Sequence, residues 1–446
     1  MRQRAGRWRT TLCVCAALLV PVAGTLAQDT IKEIIIPQGA TTPRIAIPDC
    51  VPSAGDQASR DACTTVAEVL RADLDFEGLF RFVEPDLMRR LGGFSPDNPD
   101  LEAWSGLLAD LLAITRARVE GDQLTVDLHV YSLASKQSIL EKRYSGRAGN
   151  PRFFGHTLSD AILSLTQFAG VARTQIAFAS DRDGDFRTKE IYVADYDGHR
   201  VQRLTRDESI SILPEWSPDG QRIAFTSYKS RIPDVILVPL SGGRAQSVTN
   251  RRAQSFAPSW SPDGERIAYA SNASGRMKIW VSNADGSGAR QITEGPGQDT
   301  APTWSPTGRE IAFTSDRSGS AQIWVVGAEG LNLRRLTRIG THNDGASWSP
   351  SKQFSEIAYT SRLEPGRFDI AVISLDSGQV RQITTEYASC ESPSWAPSGR
   401  HLVFSCRRGQ NWQVSVADRL GLRVRTVPTG PGSNLHPVWG PFRDRE

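Results

Sequence analysis

The residues able to do chemistry are sparse and scattered along this chain of 446 residues, which holds six cysteines and six histidines. Zinc binding would need closely spaced thiolates or imidazoles, and neither a CxxC pair nor an HExxH helix occurs. Nucleophilic catalysis would announce itself by a GxSxG elbow, and phosphate chemistry by a GxxxxGK[ST] loop; both are absent, as is a dinucleotide fingerprint after a strand. The histidines fall one per distant segment, with no evident Ser-His-Asp grouping. Cys50 and Cys63, then Cys390 and Cys406, make two local pairs. In an oxidising compartment they are expected to form two disulfides, Cys50 with Cys63 and Cys390 with Cys406. The expectation is a binding protein, not an enzyme, with no cofactor and no metal.

The compartment follows from the first 27 residues. Arg2, Arg4, Arg7 and Arg9 precede an apolar run from Leu12 to Val20, and small residues close the segment at Ala27. That order is the grammar of a secretory signal peptide with cleavage after Ala27, and the run is too short to span a bilayer. Without those residues the balance is 48 basic against 49 acidic side chains. No global charge argues for nucleic acid, and no transmembrane segment is expected in the mature chain.

Two regions with different patterning would have to position any site. Residues 28–168 read as an α+β domain. Short β-branched runs at Ile34–Ile36 and Arg44–Ile47 lead into an amphipathic helix over Thr64–Leu79, with Val66, Val69, Leu70 and Leu74 on one face. A short helix is expected at Leu101–Leu108, strands from Leu111 onward, and a last helix at Phe153–Phe168. In Gln123–Tyr131 the strict alternation of Leu124, Val126, Leu128 and Val130 with polar residues marks a half-buried strand, and it puts His129 on the solvent side.

Residues 172–442 are repetitive. Pro214 to Gly220, PEWSPDG, recurs from Pro258 and Pro302 and in degraded form around Trp348, Trp395 and Trp439, with Trp-to-Trp steps of 44, 44, 44, 47 and 44. An Ile-Ala-Phe-like strand follows each Trp motif but the last, and one further copy at Ile176 has no Trp motif before it. A period near 44 with four short strands per unit predicts a six-bladed β-propeller. Naming the strand that ends in Trp A, the next B, then C and D, the chain enters at B and finishes at A. The last A strand must therefore complete the first blade.

Strand alternation then places the short A–B and C–D turns on one face and the variable B–C and D–A loops on the other, where binding is expected. The repeated Trp residues read as packing between blades, and Asp219 and Asp263 as turn formers. The mouth carboxylates and amides Asp299, Asn343, Asp344, Glu391 and Asn434 read as solvated polar groups, with no metal assigned.

A signal peptide, an α+β domain opening EIIIPQGATTPRIAIPDC and six WSPDG-type repeats together resemble the TolB family of periplasmic Tol-Pal components over the whole chain. The repeat alone is shared with other propellers; domain order and opening segment make the match specific. The resemblance implies that the propeller binds the peptidoglycan-associated lipoprotein Pal. Its candidate residues are Gln254, Phe256, Ala257, Asp299, Thr300, Asn343, Asn434 and His436. It also implies that the mature N-terminal segment, with Gln28, Asp29, Ile31, Ile34, Ile35 and Ile36, engages TolA. The expected protein is a monomeric periplasmic adaptor serving outer-membrane integrity and constriction at division. The competing readings are a secreted propeller-type hydrolase and a glycan-binding propeller.

Overall fold

A computed structural model describes residues 42–91, 98–184, 187–249, 253–386 and 388–442. The signal segment and Gln28, Asp29, Ile31, Ile34, Ile35 and Ile36 lie outside the described residues.

In the N-terminal domain, β1 (Arg44–Ala46) and β2 (Val51–Pro52) precede helix α1 (Gln57–Glu77). Then come β3 (Arg81–Phe82), α2 (Pro85–Arg90) and α3 (Leu101–Ser105). A meander of β4 (Leu111–Glu120), β5 (Gln123–Ser132) and β6 (Gln137–Arg147) leads to α4 (Pro151–Leu163). The sheet order is β3-β1-β4-β5-β6, with β2 also on β4. Helix α1 begins seven residues before the apolar face suggests. Asp56 caps it by accepting the Ser59 amide at 2.8 Å, and Gly78 ends it at φ 67°. Val66, Leu70 and Leu74 of α1 and Leu158 and Ile162 of α4 pack on Leu124, Val126, Leu128 and Val130. A disulfide joins Cys50 to Cys63, tying the start of α1 to the sheet.

Six four-stranded sheets follow, and the sixth to be completed is assembled from both ends of the repeat region. The A strand Asn434–Trp439 pairs with the B strand Gln175–Ser180, closing blade 1. The A strands of blades 2 to 6 are Ser211–Trp216, Ser255–Trp260, Asp299–Trp304, Asn343–Trp348 and Cys390–Trp395. The D strands span only two or three residues. In blades 1 to 5 a threonine after the strand helps to hold it: Thr384 donates its hydroxyl to buried Asp369 at 3.1 Å and accepts the Ile370 amide at 3.0 Å.

The tryptophans are wedges between blades. Trp260 of blade 3 packs on Ala224, Val235 and Leu237 of blade 2, under the Arg222 guanidinium at 4.8 Å. Trp304 stands on Ala268, Ile279 and Val281 of blade 3 in the same way. The SPDG turns are self-contained. Asp219 accepts the Gln221 amide at 3.0 Å and the Ser217 hydroxyl, which holds its carboxyl below the usual range despite partial burial.

The N-terminal domain sits on the turn face, over the seam between blades 1 and 6. Phe76, near the end of α1, stacks on His401 with ring centroids 4.3 Å apart and packs with Tyr196 and Trp439. Glu77 is 3% exposed and bonds Arg400 of the blade 6 A–B turn at 2.7 Å and the Val171 amide at 3.0 Å. Burial pushes its carboxyl up to about 7 against the pull of Arg400. Beside it, His156 of α4 meets Asp73 of α1 at 2.8 Å, and Tyr196 of blade 1 donates to the same carboxylate.

Two outcomes are expected. Trp260→Ala should cost about 3–5 kcal/mol in urea unfolding, because the cavity falls between two blades that cannot close on it. Arg400→Met should cost a similar amount by stranding Glu77, and Glu77→Gln in the same chain should recover most of it. Additive losses in that double-mutant cycle would show the pair to be uncoupled.

Candidate functional site

With the N-terminal domain seated on the turn face at blades 1 and 6, the B–C and D–A loops form the opposite face, and the six A strands ring a channel that opens among them. Adjacent A strands lie against one another around the circle. Each repeats one burial pattern, in which the first residue is buried, the second and third are half-buried, the fourth is a buried proline in five blades, and the sixth is the Trp.

The third residue is a β-bulge in every blade. The register breaks between Phe256 and Ser259 and at the matching place in all five other sheets. The residues there, Leu213, Ala257, Ala301, Gly345, Ser392 and His436, have φ between 47° and 60°. For the non-glycine residues this left-handed conformation costs about 1 kcal/mol or more each, which surrounding structure must hold in place. Threonines of the preceding blade help: Thr226 accepts the Ala257 amide and Thr360 the Ser392 amide, each at 3.0 Å. Bulges that turn side chains into a concavity are common next to binding sites.

The channel encloses about 150 Å³, lined by the third to fifth residues of all six A strands. The fifth position is Ser259, Thr303, Ser347, Ser394 or Val438, except in blade 2, where it is Glu215. Glu215 makes no hydrogen bond or ion pair with any described residue, and burial alone pushes its carboxyl up to about 8. Glu215 is half-buried and lines the cavity. His436 is held neutral, its pKa driven down to about 4 by burial and by Lys189. At the rim Glu391 is raised by burial first and by the charge of Asp344 second.

The structure divides the eight residues expected to meet Pal. Gln254 is exposed on the D–A loop, Phe256 and Thr300 stand half-buried at the rim, and Ala257 and His436 line the channel. Asp299, Asn343 and Asn434 are fully buried first residues of A strands. Asp299 is clamped by Arg317 at 2.8 and 2.9 Å and by Lys278 at 3.1 Å. Asn343 bonds Gln322 and Ser361, and Asn434 bonds Arg182. These three fasten strand A to strand B or its loop, and Asp299 and Asn343 also reach strand C of the preceding blade. In blade 3 the same place holds a hydrogen bond between Ser255 and Ser271, and in blade 6 the disulfide of Cys390 with Cys406, which are paired in register. Cys390 is thus the first residue of its A strand.

The sequence reading passed over Glu215, Leu213 and Ser392. Alignment of the repeats held a signal for the first, the one carboxylate at a position otherwise small or apolar. Among the described residues no group of three His, Cys, Asp or Glu side chains is placed to hold a metal ion. The acid–imidazole pair at the domain interface is closed off: His156 is 5% exposed in its side chain, and its Nε2 faces a second carboxylate, Asp197, at 3.7 Å.

Comparison with known proteins now bears on this arrangement. Residues 163–443 match the family model described as the TolB beta propeller domain, and residues 33–139 the TolB amino-terminal domain. The chain is 35% identical over 217 residues to the Tol-Pal system protein TolB of Geobacter sulfurreducens, covering 48% of each chain. It is 38% identical over 158 residues to that of Geobacter metallireducens, covering 35% of this chain and 36% of the relative. These matches therefore span about half or less of the relatives' length. A crystal structure of TolB from Acinetobacter baumannii superposes with a TM-score of 0.78 at 24% identity, covering 90% of this chain and 97% of that one. At that identity the likeness concerns the fold.

Glu215 provides a test of the channel's electrostatics. Its folded pKa lies above the unfolded value of 4.5, so the folded state holds the extra proton and stability falls as pH rises from about 4.5 to about 8. Glu215→Gln should match wild type near pH 5 and exceed it at pH 8.5 by on the order of 1–3 kcal/mol in urea unfolding. Equal curves at both pH values would show that Glu215 is hydrated.

Proposed function

The chain belongs to the TolB family, and from that premise we propose that it is a periplasmic, non-catalytic adaptor of the Tol-Pal system. The loop-rich face of the propeller docks Pal, and the segment around Gln28 to Ile36 engages TolA. By linking the two, the protein supports outer-membrane integrity and constriction during division. It acts as a monomer and needs no cofactor.

The observation that carries this reading is the polarity of the propeller. Its turn face is occupied by the N-terminal domain through Phe76, Glu77 and Arg423, while the opposite face keeps an open channel with a half-apolar rim. A rigid ring offering a partly apolar centre inside polar loops has the make-up of a protein-docking surface. Gln254, Phe256, Ala257, Thr300 and His436 would touch Pal, whereas Asp299, Asn343 and Asn434 would set the shape of the loops that do. Two disulfides fit an oxidising compartment. A β-branched segment such as Ile34–Ile36 has the chemistry to add to another protein's sheet edge.

Calorimetric titration with the soluble domain of Pal tests the face. Phe256→Arg should weaken binding about ten-fold or more while the unfolding midpoint stays near that of wild type; unchanged affinity would move the interface elsewhere. Removing residues 28–36 should abolish capture by the C-terminal domain of TolA, and retained capture would refute the segment's role.

A further inference from the structure

The second residue of each A strand lies one step toward the loop face from the cavity-lining third residue, and this rim has two sides. In ring order it reads Leu435, Ile212, Phe256, Thr300, Asp344 and Glu391, each half-buried. Three consecutive blades supply apolar side chains, of which Ile212 also packs on the core between blades 1 and 2, and the next three supply a hydroxyl and two carboxylates. Asp344 is fixed in place, its Oδ1 accepting the Thr314 hydroxyl and the Gly345 amide, both at 2.7 Å. Glu391 has no side-chain hydrogen bond or ion pair among the described residues, and it feels the charge of Asp344. Below the apolar arc lies Glu215, likewise without a partner and desolvated by the bore. No lysine or arginine is among the residues that line the cavity, and the nearby cation is Lys189, close enough to lower the pKa of His436 on the blade 1 wall.

Resting on the reading that a protein partner docks on this face, we propose that the channel is a socket for one lysine or arginine side chain of that partner. Its methylenes would run along Leu435, Ile212 and Phe256, and its cationic head would be drawn in past Asp344 and Glu391 toward Glu215. Long basic side chains bury their stems on apolar surface while the head seeks charge, which is the division this rim offers. The size agrees. About 150 Å³ is the liquid share of roughly five water molecules, room for a side chain and not for a folded segment. A bare divalent ion suits the site less well, since it needs several oxygens converging at bonding distance and gains nothing from the apolar arc. An unpaired buried carboxylate costs stability on its own. A cation arriving from a partner would remove that cost, and the gain would appear as affinity.

The test uses the whole purified chain and N-acetyl-arginine amide, with N-acetyl-citrulline amide as its neutral isostere, followed by saturation-transfer NMR. The arginine probe should bind at least ten-fold more tightly than the citrulline one. Asp344→Asn with Glu391→Gln should abolish that preference. Should the double variant fail to fold, Glu391→Gln alone, which disturbs no hydrogen bond, should reduce it several-fold. At pH 7 binding of the arginine probe should release part of a proton, seen as different heats in phosphate and Tris buffers, and Glu215→Gln should remove the release. Equal binding of the two probes, no binding of either, or displacement of the arginine probe by equimolar calcium chloride would each overturn the socket. Titration with soluble Pal is read separately. A ten-fold loss in the double variant supports the socket's use by the partner, and an unchanged affinity refutes it. If wild type itself fails to bind Pal, the docking reading falls while the probe experiment still decides the socket.

Discussion

Everything in this protein hangs on one pairing, that of the last A strand, Asn434–Trp439, with the first B strand, Gln175–Ser180. An open array of six blades would expose a sheet edge at each end and leave the channel without its sixth wall. The closing strand is held by more than its ladder. Trp439 donates from its indole to Thr174 at 2.7 Å and Gly440 donates its amide to the Gln175 carbonyl at 2.7 Å. The seam is also where the N-terminal domain docks. Phe76 packs against Trp439 and His401, and Arg425 lies over its ring at 3.9 Å. A domain seated across the joint between blades 1 and 6 resists its opening.

That seating carries an electrostatic cost and places it where both domains must stay together to meet it. Glu77 and Asp73 leave water for a site 2–3% exposed, and their partners come from other elements: Arg400 and Tyr196 from the propeller, His156 from α4, the Val171 amide from the linker. Burial works against protonating His156, yet the hydrogen bond and charge of Asp73 outweigh it and raise its pKa. His401 is driven the other way, to about 3, by burial first and then by the charges of Arg400 and Arg425, with no carboxylate to oppose them. Two imidazoles buried in one interface thus favour opposite protonation states because only one of them meets an acid.

Much of the fold was legible because repetition multiplies weak signals. One Trp in one strand says little, whereas six at near-constant spacing fix the blade count, and the alternation of strand direction fixes which loops share a face. The N-terminal helices were legible as periodicity but not in their ends, since α1 starts at a cap, Asp56, with no apolar residue to mark it. The candidate site was legible only in part. Asp299, Asn343 and Asn434 follow Gly- and Ser-rich loops and carry polar side chains, so they resemble loop residues; in the fold they are strand residues turned inward to a partner on strand B or its loop. The domain interface was beyond reach for a different reason. Glu77 and Arg400 are 323 residues apart, and no local pattern foretells which surface glutamate will be covered.

The bulge explains how one short strand serves both the site and the seam. In a regular strand, side chains alternate, so the first residue and the sixth must point to opposite sides. Here both must point away from the bore, the first to fasten strand A to strand B at the loop face, the sixth to wedge its indole against the neighbouring blade. One extra residue between them shifts the phase. The burial pattern records the shift: two half-buried residues in succession, then buried proline and buried tryptophan. The residue that absorbs it takes a positive φ, and proline can follow because the inner edge of each blade asks no ladder hydrogen bond of that position. Rim, bulge and wedge are therefore one solution to a parity problem. Glu215, at the fifth position, has no hydrogen-bond partner among the described residues, and the channel can carry chemistry that the repeat itself does not require.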